Sequence, residues 1–476
     1  MRLRALFLLV FLAPALPLAA QIDSALLSKI SFNLTNPGGK SLAMGGAFTA
    51  IADDATAGLA NPAGLGLLSS IEAGVSGKGT SDVLGLVTAR SNASGPLLTP
   101  YPAVKGSRTD VDAKTRSFEF GGVVIPISQR FVAEVSFAEN LRFEGATEAG
   151  GYPYIELRDN RTGGSIRNDF LYEYREYGGV SLRNKVFGAS VGYRVSERLR
   201  VGAGITLSKL AFELTGDAAG PHRIVSRTFI SLVAVETREV RMAVSDVDSS
   251  VPGFVLGVHA DLLPRGLLTF GASYRASGRA RGTFTLDGAV PPALESQRVR
   301  EFAFRVPRDA SVGLATQPLP GLTIAVEGQW IEYSGLFDKA LPVVSYAGLV
   351  GPSPGFPVSG ILAEIEPARD ILIPRAGAEY VAASDPLRLA FRVGWHREPA
   401  HGVRANVVAR DGQGVAFDLH DPPFSAASRT IFDGGRADDR FSGGLGVTYD
   451  GRLSLDLAFD VGRTSRTLAA SLFYRF

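Results

Sequence analysis

The chain has 476 residues, of which 20% are charged, with acids and bases nearly cancelling to +2 and no cysteine at all. It is longer than an ordinary soluble domain, yet no Ser/Gln/Pro-rich linker divides it, so one large architecture is expected. Its Lys and Arg form no block able to track a phosphate backbone, which argues against nucleic acid, and the missing thiols exclude disulfides, thiolate metal sites and cysteine nucleophiles.

Residues 1–20 read as a signal peptide: Arg2 and Arg4, an apolar run from Ala5 to about Phe11, then Pro14, Pro17 and Ala20 ahead of Gln21. The residue after the expected cut is Gln rather than Cys, so no lipoprotein anchor is expected. No later run reaches the roughly 18 to 20 apolar residues of a membrane helix, which leaves a periplasmic protein or a membrane β-barrel.

Residues 21–68 do not alternate between apolar and polar and are expected to form a compact, mostly helical segment ahead of any strand. Gly45 and Gly46 permit turns or close backbone approach, Asp53 and Asp54 can cap a helix or accept backbone donors, and Asn61-Pro62-Ala63 imposes an extended or turn conformation.

From about Ser70 the period becomes two. Leu453, Leu455, Leu457, Phe459 and Val461 interleave with Ser454, Asp456, Ala458 and Asp460, and Phe187 to Val195 and Leu387 to Trp395 repeat the pattern. The segments run nearer ten residues than the usual five or six, the length a tilted strand needs to cross hydrocarbon. Strands are predicted near 70–79, 117–127, 130–143, 183–195, 199–213, 253–263, 267–277, 309–317, 321–333, 373–381, 387–397, 440–449, 453–461 and 468–476. Short connections, such as Ser196-Glu197-Arg198 and Asp450-Gly451-Arg452, follow even-numbered strands, which puts them on the periplasmic side and the long loops outside; Gly462 to Arg466 is a short exception. The stretch 228–246 is expected in an external loop, although two further strands there would raise the count to sixteen. The expected fold class is an all-β, antiparallel transmembrane barrel of about fourteen strands over 69–476, preceded by a hatch over 21–68.

Parity turns Glu134, Arg194, Arg200, Glu327, Arg388, Arg392, His396, Asp456 and Asp460 inward. Such mixed charges suit internal ion pairs bracing segment against wall, and a second reading has Arg388 or Arg392 meeting an anionic head group. Trp330, Trp395, Tyr333 and Tyr474 are expected at the lipid interfaces. The terminal Tyr474 and Phe476 suit the signal by which barrel-insertion machinery recognises clients. His222, His259, His396, His401 and His420 show no metal-ligand spacing, so no cofactor, metal site or enzyme chemistry is expected.

The run Ser41 to Leu65, with Gly45-Gly46-Ala47, Ala52-Asp53-Asp54-Ala55 and Asn61-Pro62-Ala63, resembles the hatch of the long-chain fatty-acid outer-membrane transporter family (FadL/TodX type). Looser resemblances follow at Val124-Ile125-Pro126-Ile127, Gln329 to Ser334, Pro374-Arg375-Ala376-Gly377 and Asp439-Arg440-Phe441. The resemblance implies a monomeric fourteen-stranded barrel in outer-membrane lipid, capture of a hydrophobic small molecule such as a fatty acid at the outer loops, and sideways exit beside a kinked third strand. It also implies that Asn61-Pro62-Ala63 sits by that opening. Ala138 to Asn140 offers no Pro or Gly for the kink, and the roughly twenty residues from Gln21 to Lys40 leave open whether the N-terminus reaches the ligand pocket. A protein-cargo barrel like the type IX secretion shuttle, and a plain diffusion porin, are the alternatives.

Overall fold

The computed structural model describes residues 36–90, 105–151, 154–159, 166–171, 174–219, 222–226, 233–235, 240–245, 249–288, 299–335, 358–366, 369–400, 404–411, 416–417, 437–463 and 465–476. Fourteen staves form the wall: β1 (Glu72–Arg90), β2 (Lys105–Pro126), β3 (Phe131–Gly151), β4 (Tyr174–Arg194), β5 (Leu199–Ala219), β6 (Ser249–Asp261), β7 (Leu268–Ser277), β8 (Asp309–Leu319), β9 (Leu322–Ile331), β10 (Ile371–Ser384), β11 (Leu387–Glu398), β12 (Asp438–Tyr449), β13 (Leu453–Val461) and β14 (Ser465–Arg475). Each pairs antiparallel with its chain neighbours, and β14 pairs back on β1 from Glu72↔Arg475 to Asp82↔Ser465, so the cylinder is closed. Closure leaves no free edge in lipid.

The period of two becomes two faces. Along β13, Leu453, Leu455, Leu457, Phe459 and Val461 are exposed outward while Asp456, Ala458 and Asp460 are buried inward. The same parity exposes Phe391 and Val393 on β11 and buries Arg392 and His396. β1 to β5 run 19 to 22 residues, well past the apolar stretches that mark them in sequence. Alternation is a signal only where lipid covers one face, so it fades where the wall continues beyond the bilayer.

Between Asp450 and Gly451, at φ 52° and 65°, the β12–β13 hairpin turns through two left-handed residues, the Asp-Gly geometry whose twist matches antiparallel strands. The stretch 228–246 departs from the expected loop. Val240–Ser245 pairs with both β5 and Ala280–Gly288 and continues the wall above β6, while Val233–Val235 joins a small separate sheet. Neither adds a stave, so the count stays at fourteen.

The third strand holds a bulge where the sequence offered no kink residue. Its register on β4 shifts between Glu139 and Leu141, so Asn140 is the inserted residue. β2 and β3 pair only from Pro126↔Val132 to Phe120↔Ala138; beyond that, β2 stays on β1 as far as Lys105 and β3 stays on β4 as far as Gly151. Among the described residues this is the one seam that unzips along two long neighbours.

Leu457 stands mid-strand on the outward face and Tyr449 at the short-turn rim. Leu457→Arg should therefore lower folding stability in lipid vesicles by about 2–4 kcal/mol, and Tyr449→Arg by at most about 1 kcal/mol, as read by urea titration.

Candidate functional site

Residues 36–68 lie inside the cylinder, against strands on every side. They contain two short helices, α1 (Gly39–Ala43) and α2 (Ala57–Ala60), and a 3-10 helix over Pro62–Leu67. The rest is irregular, so many backbone groups lack partners within the segment and must find them on the wall.

The wall supplies them with its side chains. Its carboxylates take the segment's amides: Glu119 Oε2 accepts from Gly38 N–H at 3.2 Å, Glu327 Oε2 from Phe48 and Thr49 at 3.0 and 2.9 Å, Glu72 Oε1 from Ala55 at 2.7 Å, and Glu134 Oε2 from Gly58 at 2.7 Å. Its basic side chains take the carbonyls: Arg375 donates to Gly45 O at 3.0 Å, Arg194 to Gly66 O at 2.7 Å, and His259 Nε2 to Ala50 O at 3.1 Å. Ser190 donates to Gly58 O at 2.9 Å and Ser442 to Ala43 O at 3.2 Å. A buried donor left without an acceptor costs about 1–3 kcal/mol, so this ring of side chains is what makes an irregular chain tolerable there.

Close approach needs an unobstructed wall. A Cβ on Gly394 would stand 2.1 Å from Gly45 N, one on Gly271 2.3 Å from Thr49 O, and one on Gly202 2.2 Å from the Pro62 carbonyl carbon. These inward glycines are docking floors. Gly45 and Gly46, at φ 65° and 79°, adopt the left-handed conformation that glycine tolerates without cost, and Gly45 turns against the Trp395 backbone.

The remaining motif residues each hold the segment's shape. Asp54 Oδ1 accepts from Thr56 N–H at 2.9 Å, and Asp53 pairs with Lys40 at 2.8 Å. Asn61 accepts from Ala63 N–H, opening the 3-10 helix with Pro62 in its first turn, and its amide donates to Thr49 O and Val258 O. Pro62 and Ala63 pack on Gly202 of β5, with Asn61 and Pro62 on Gly257 of β6, rather than chiefly at the third strand as the resemblance implied. Gly58, Leu59 and Leu65 reach the β3 side.

Of the inward charges expected on β11 and β13, Arg392, His396, Asp456 and Asp460 are buried. Arg392 donates to Glu379 at 2.6 Å and Asp456 at 2.5 Å, and Glu379 lies 4.0 Å from Lys40, so this chain of charges joins wall to segment. His396 Nδ1 stands 3.9 Å from Asp460, which is paired with Arg440. Arg388 is exposed near the short turn at Asp385-Pro386 and joins none of these contacts. Arg392, fully engaged, is braced in the wall. Tyr474 and Phe476 are exposed and stack edge to face at 4.9 Å, and Phe476 N–H donates to Ile71 O where the cylinder closes. Trp330 and Trp395 fall on the outward face, whereas Tyr333 is 2% exposed and is no interface anchor. Glu119, Arg375 and Arg275 were missed in sequence. Arg375 and Arg275 follow from extending the strand parity, whereas Glu119 is turned inward by the register shift opposite Ser76 and Gly77, where parity alone would turn it outward.

Above the segment lies a cavity of about 70 Å³, lined by Pro37, Leu59, Ala138, Val186, Val255 and Val306, with Lys78, Glu119, Arg275 and Asp309 at its margin. Both cations are paired there, Lys78 with Glu119 at 3.1 Å and Arg275 with Asp309 at 2.8 Å. Pro37 in this lining brings the N-terminal side of the segment to the cavity. Among the described residues no group of three or more His, Asp or Glu is placed to hold a metal.

No family model matches the chain, and no curated protein does. Solved structures do. The chain is similar to the toluene transporter TbuX of Ralstonia pickettii, at 16% identity and TM-score 0.52, covering 94% of this chain and 100% of that one. It is similar to the monoaromatic hydrocarbon channel CymD, at 16% identity and TM-score 0.51, covering 94% and 99%. The toluene transporter TodX of P. putida matches at 13% identity and TM-score 0.50, covering 93% and 99%. The chain shares the fold of these FadL/TodX-type transporter barrels over nearly its whole length.

Within the segment, burial and the neighbouring Asp53 push the Asp54 carboxyl up to about 7, against the hydrogen bond from Thr56. A raised carboxyl is favoured protonated in the folded state, so Asp54 weakens stability progressively as pH rises from its ordinary value of 3.8 toward 7. Asp54→Asn, which keeps the acceptor for Thr56, should raise the urea midpoint more at about pH 8 than at about pH 5. An equal shift at both values would contradict the raised carboxyl.

Proposed function

We propose that this protein is an outer-membrane channel for passive uptake of hydrophobic small molecules, in which loops collect the solute, the inner segment blocks the straight path, and the solute leaves sideways into the membrane. In this reading residues 1–20 are removed on export, residues 21–68 are the hatch, and residues 69–476 are the barrel. Tyr474 and Phe476 guide insertion by the assembly machinery, and the protein works as a monomer in outer-membrane lipid.

The observation that carries this reading is the β2–β3 seam. Ala138, the last β3 residue paired to β2, also lines the cavity, and pairing between the two strands stops immediately above it. The seam's inner side is packed by the segment, with Phe120, Val124, Val132 and Ala138 in one apolar cluster with Leu59, Ala60 and Leu65. On its outer side, Phe118 of β2 stacks on Phe137 of β3 at 5.9 Å between ring centroids. An apolar solute moving through this seam never crosses the charged lumen beneath, which a straight route would require. Among the described residues the cations at the cavity margin, Lys78 and Arg275, are both paired, and the solute class in this reading therefore extends from fatty acids to neutral lipophiles such as the hydrocarbons named for the similar channels. The polar grip on the segment disfavours a plain porin.

Cells producing the protein should take up labelled toluene or oleate at least about tenfold faster than cells lacking it. Proteoliposomes should show no swelling with sugars, and sugar permeation would favour the porin, while co-purification of a secreted protein would favour a cargo shuttle. Deletion of residues 41–66 should leave an inserted barrel with a large, steady conductance in planar bilayers. Unchanged conductance would count against a plug.

A further inference from the structure

Beside its apolar packing on the seam, the segment is tied to β3 and β4 by hydrogen bonds at one peptide unit. Gly58 N–H donates to Glu134 Oε2 of β3 at 2.7 Å, and the Gly58 carbonyl accepts from Ser190 of β4 at 2.9 Å. Glu134 is 2% exposed and stands opposite Val124 of β2, inside the short stretch where β2 and β3 still pair. The next residue, Leu59, lines the cavity. A Cβ on Gly58 would lie 2.1 Å from Glu134 Oε2, so position 58 is glycine because the carboxylate is there. A solute that fills the cavity meets Leu59, one residue from the amide that Glu134 holds.

We infer that Glu134 is a positioning residue, a clasp through which the segment holds the β2–β3 seam closed and which cavity occupancy releases. The clasp rests on the uptake reading above. Its geometry suits a releasable hold, because a hydrogen bond in a dry site is strong while aligned and weakens steeply with small displacement. Ser190 holds the other side of the same peptide to β4, so the movement falls on the β3 contact and the weakly paired register beside it. Glu72, Glu119 and Glu327 also bind amides of the segment, from β1, β2 and β9, whereas Glu134 does so from β3.

The chain has no cysteine, so an introduced pair reports without background. Val123 and Val135 are directly paired across the seam and both face outward. The full-length protein carrying Val123→Cys and Val135→Cys, in phospholipid vesicles, reports closure as the rate of oxidant-driven disulfide formation. Saturating toluene should slow that rate. Glu134→Ala and Gly58→Ala should each slow it about tenfold without toluene, near the toluene-saturated value, as expected for loss of one buried hydrogen bond. Glu134→Gln, which keeps an acceptor for Gly58, should retain the wild-type rate and response. The inference is overturned if Glu134→Ala and Gly58→Ala, shown to be folded by heat-modifiable migration, cross-link and respond to toluene like the parent. It is overturned equally if Glu134→Gln behaves as Glu134→Ala does. A parent indifferent to toluene whose clasp variants are still loosened removes the uptake reading and leaves the clasp standing.

Discussion

An irregular stretch of polypeptide buried inside a closed barrel must have its amides and carbonyls satisfied, and here the wall satisfies them. The rest of the structure follows from that constraint. It explains why the inward face carries carboxylates where the segment presents N–H groups, and arginine or histidine where it presents carbonyls. It also explains inward glycines at the points of closest approach, since a single methyl at Gly394 or Gly202 would collide with the segment's backbone. Mixed lumen charge, which in an open pore would be a poor selectivity ring, is in this barrel a complementary mould.

The constraint separates two functions of the wall. Outside, one requirement, apolarity, is repeated along every strand. Inside, each position answers a particular group on the segment, so no repeated pattern exists there. The seam between β2 and β3 belongs to neither regime. Its pairing ends at Phe120 and Ala138, its inner lip is completed by Leu59 and Leu65, and its outer lip by the Phe118–Phe137 stack. Both lips are therefore apolar up to the end of the hydrogen-bond ladder, with the buried Glu119 and Glu139 next beyond it.

The barrel was legible in sequence because the lipid side imposes a strict period of two, and all fourteen staves fall where that period appears. Their upper lengths were not legible, because beyond the bilayer the period dissolves. The bulge at Asn140 carries no Pro or Gly to announce it; it arises from a register shift between two chains of hydrogen bonds, which a single strand's sequence does not encode. Inward charges such as Glu134, Glu327 and Arg392 were legible from parity, but their partners were not, since Gly58 and Phe48 lie 76 and 279 residues away from the carboxylates that bind them. Val240–Ser245 looked like loop because its strand partners, Leu199–Ala219 and Ala280–Gly288, are equally weak in apolar alternation at that height.

The central claim is that wall carboxylates hold the segment's backbone in place of regular secondary structure. Amide hydrogen exchange of the inserted barrel tests it most directly, because Gly38, Phe48, Thr49, Ala55 and Gly58 donate to wall side chains rather than to backbone carbonyls. Protection of these five amides comparable to that of the wall strands, lost selectively at Phe48 and Thr49 in Glu327→Ala, is the expected result. Fast exchange at all five in the wild-type barrel would contradict the account.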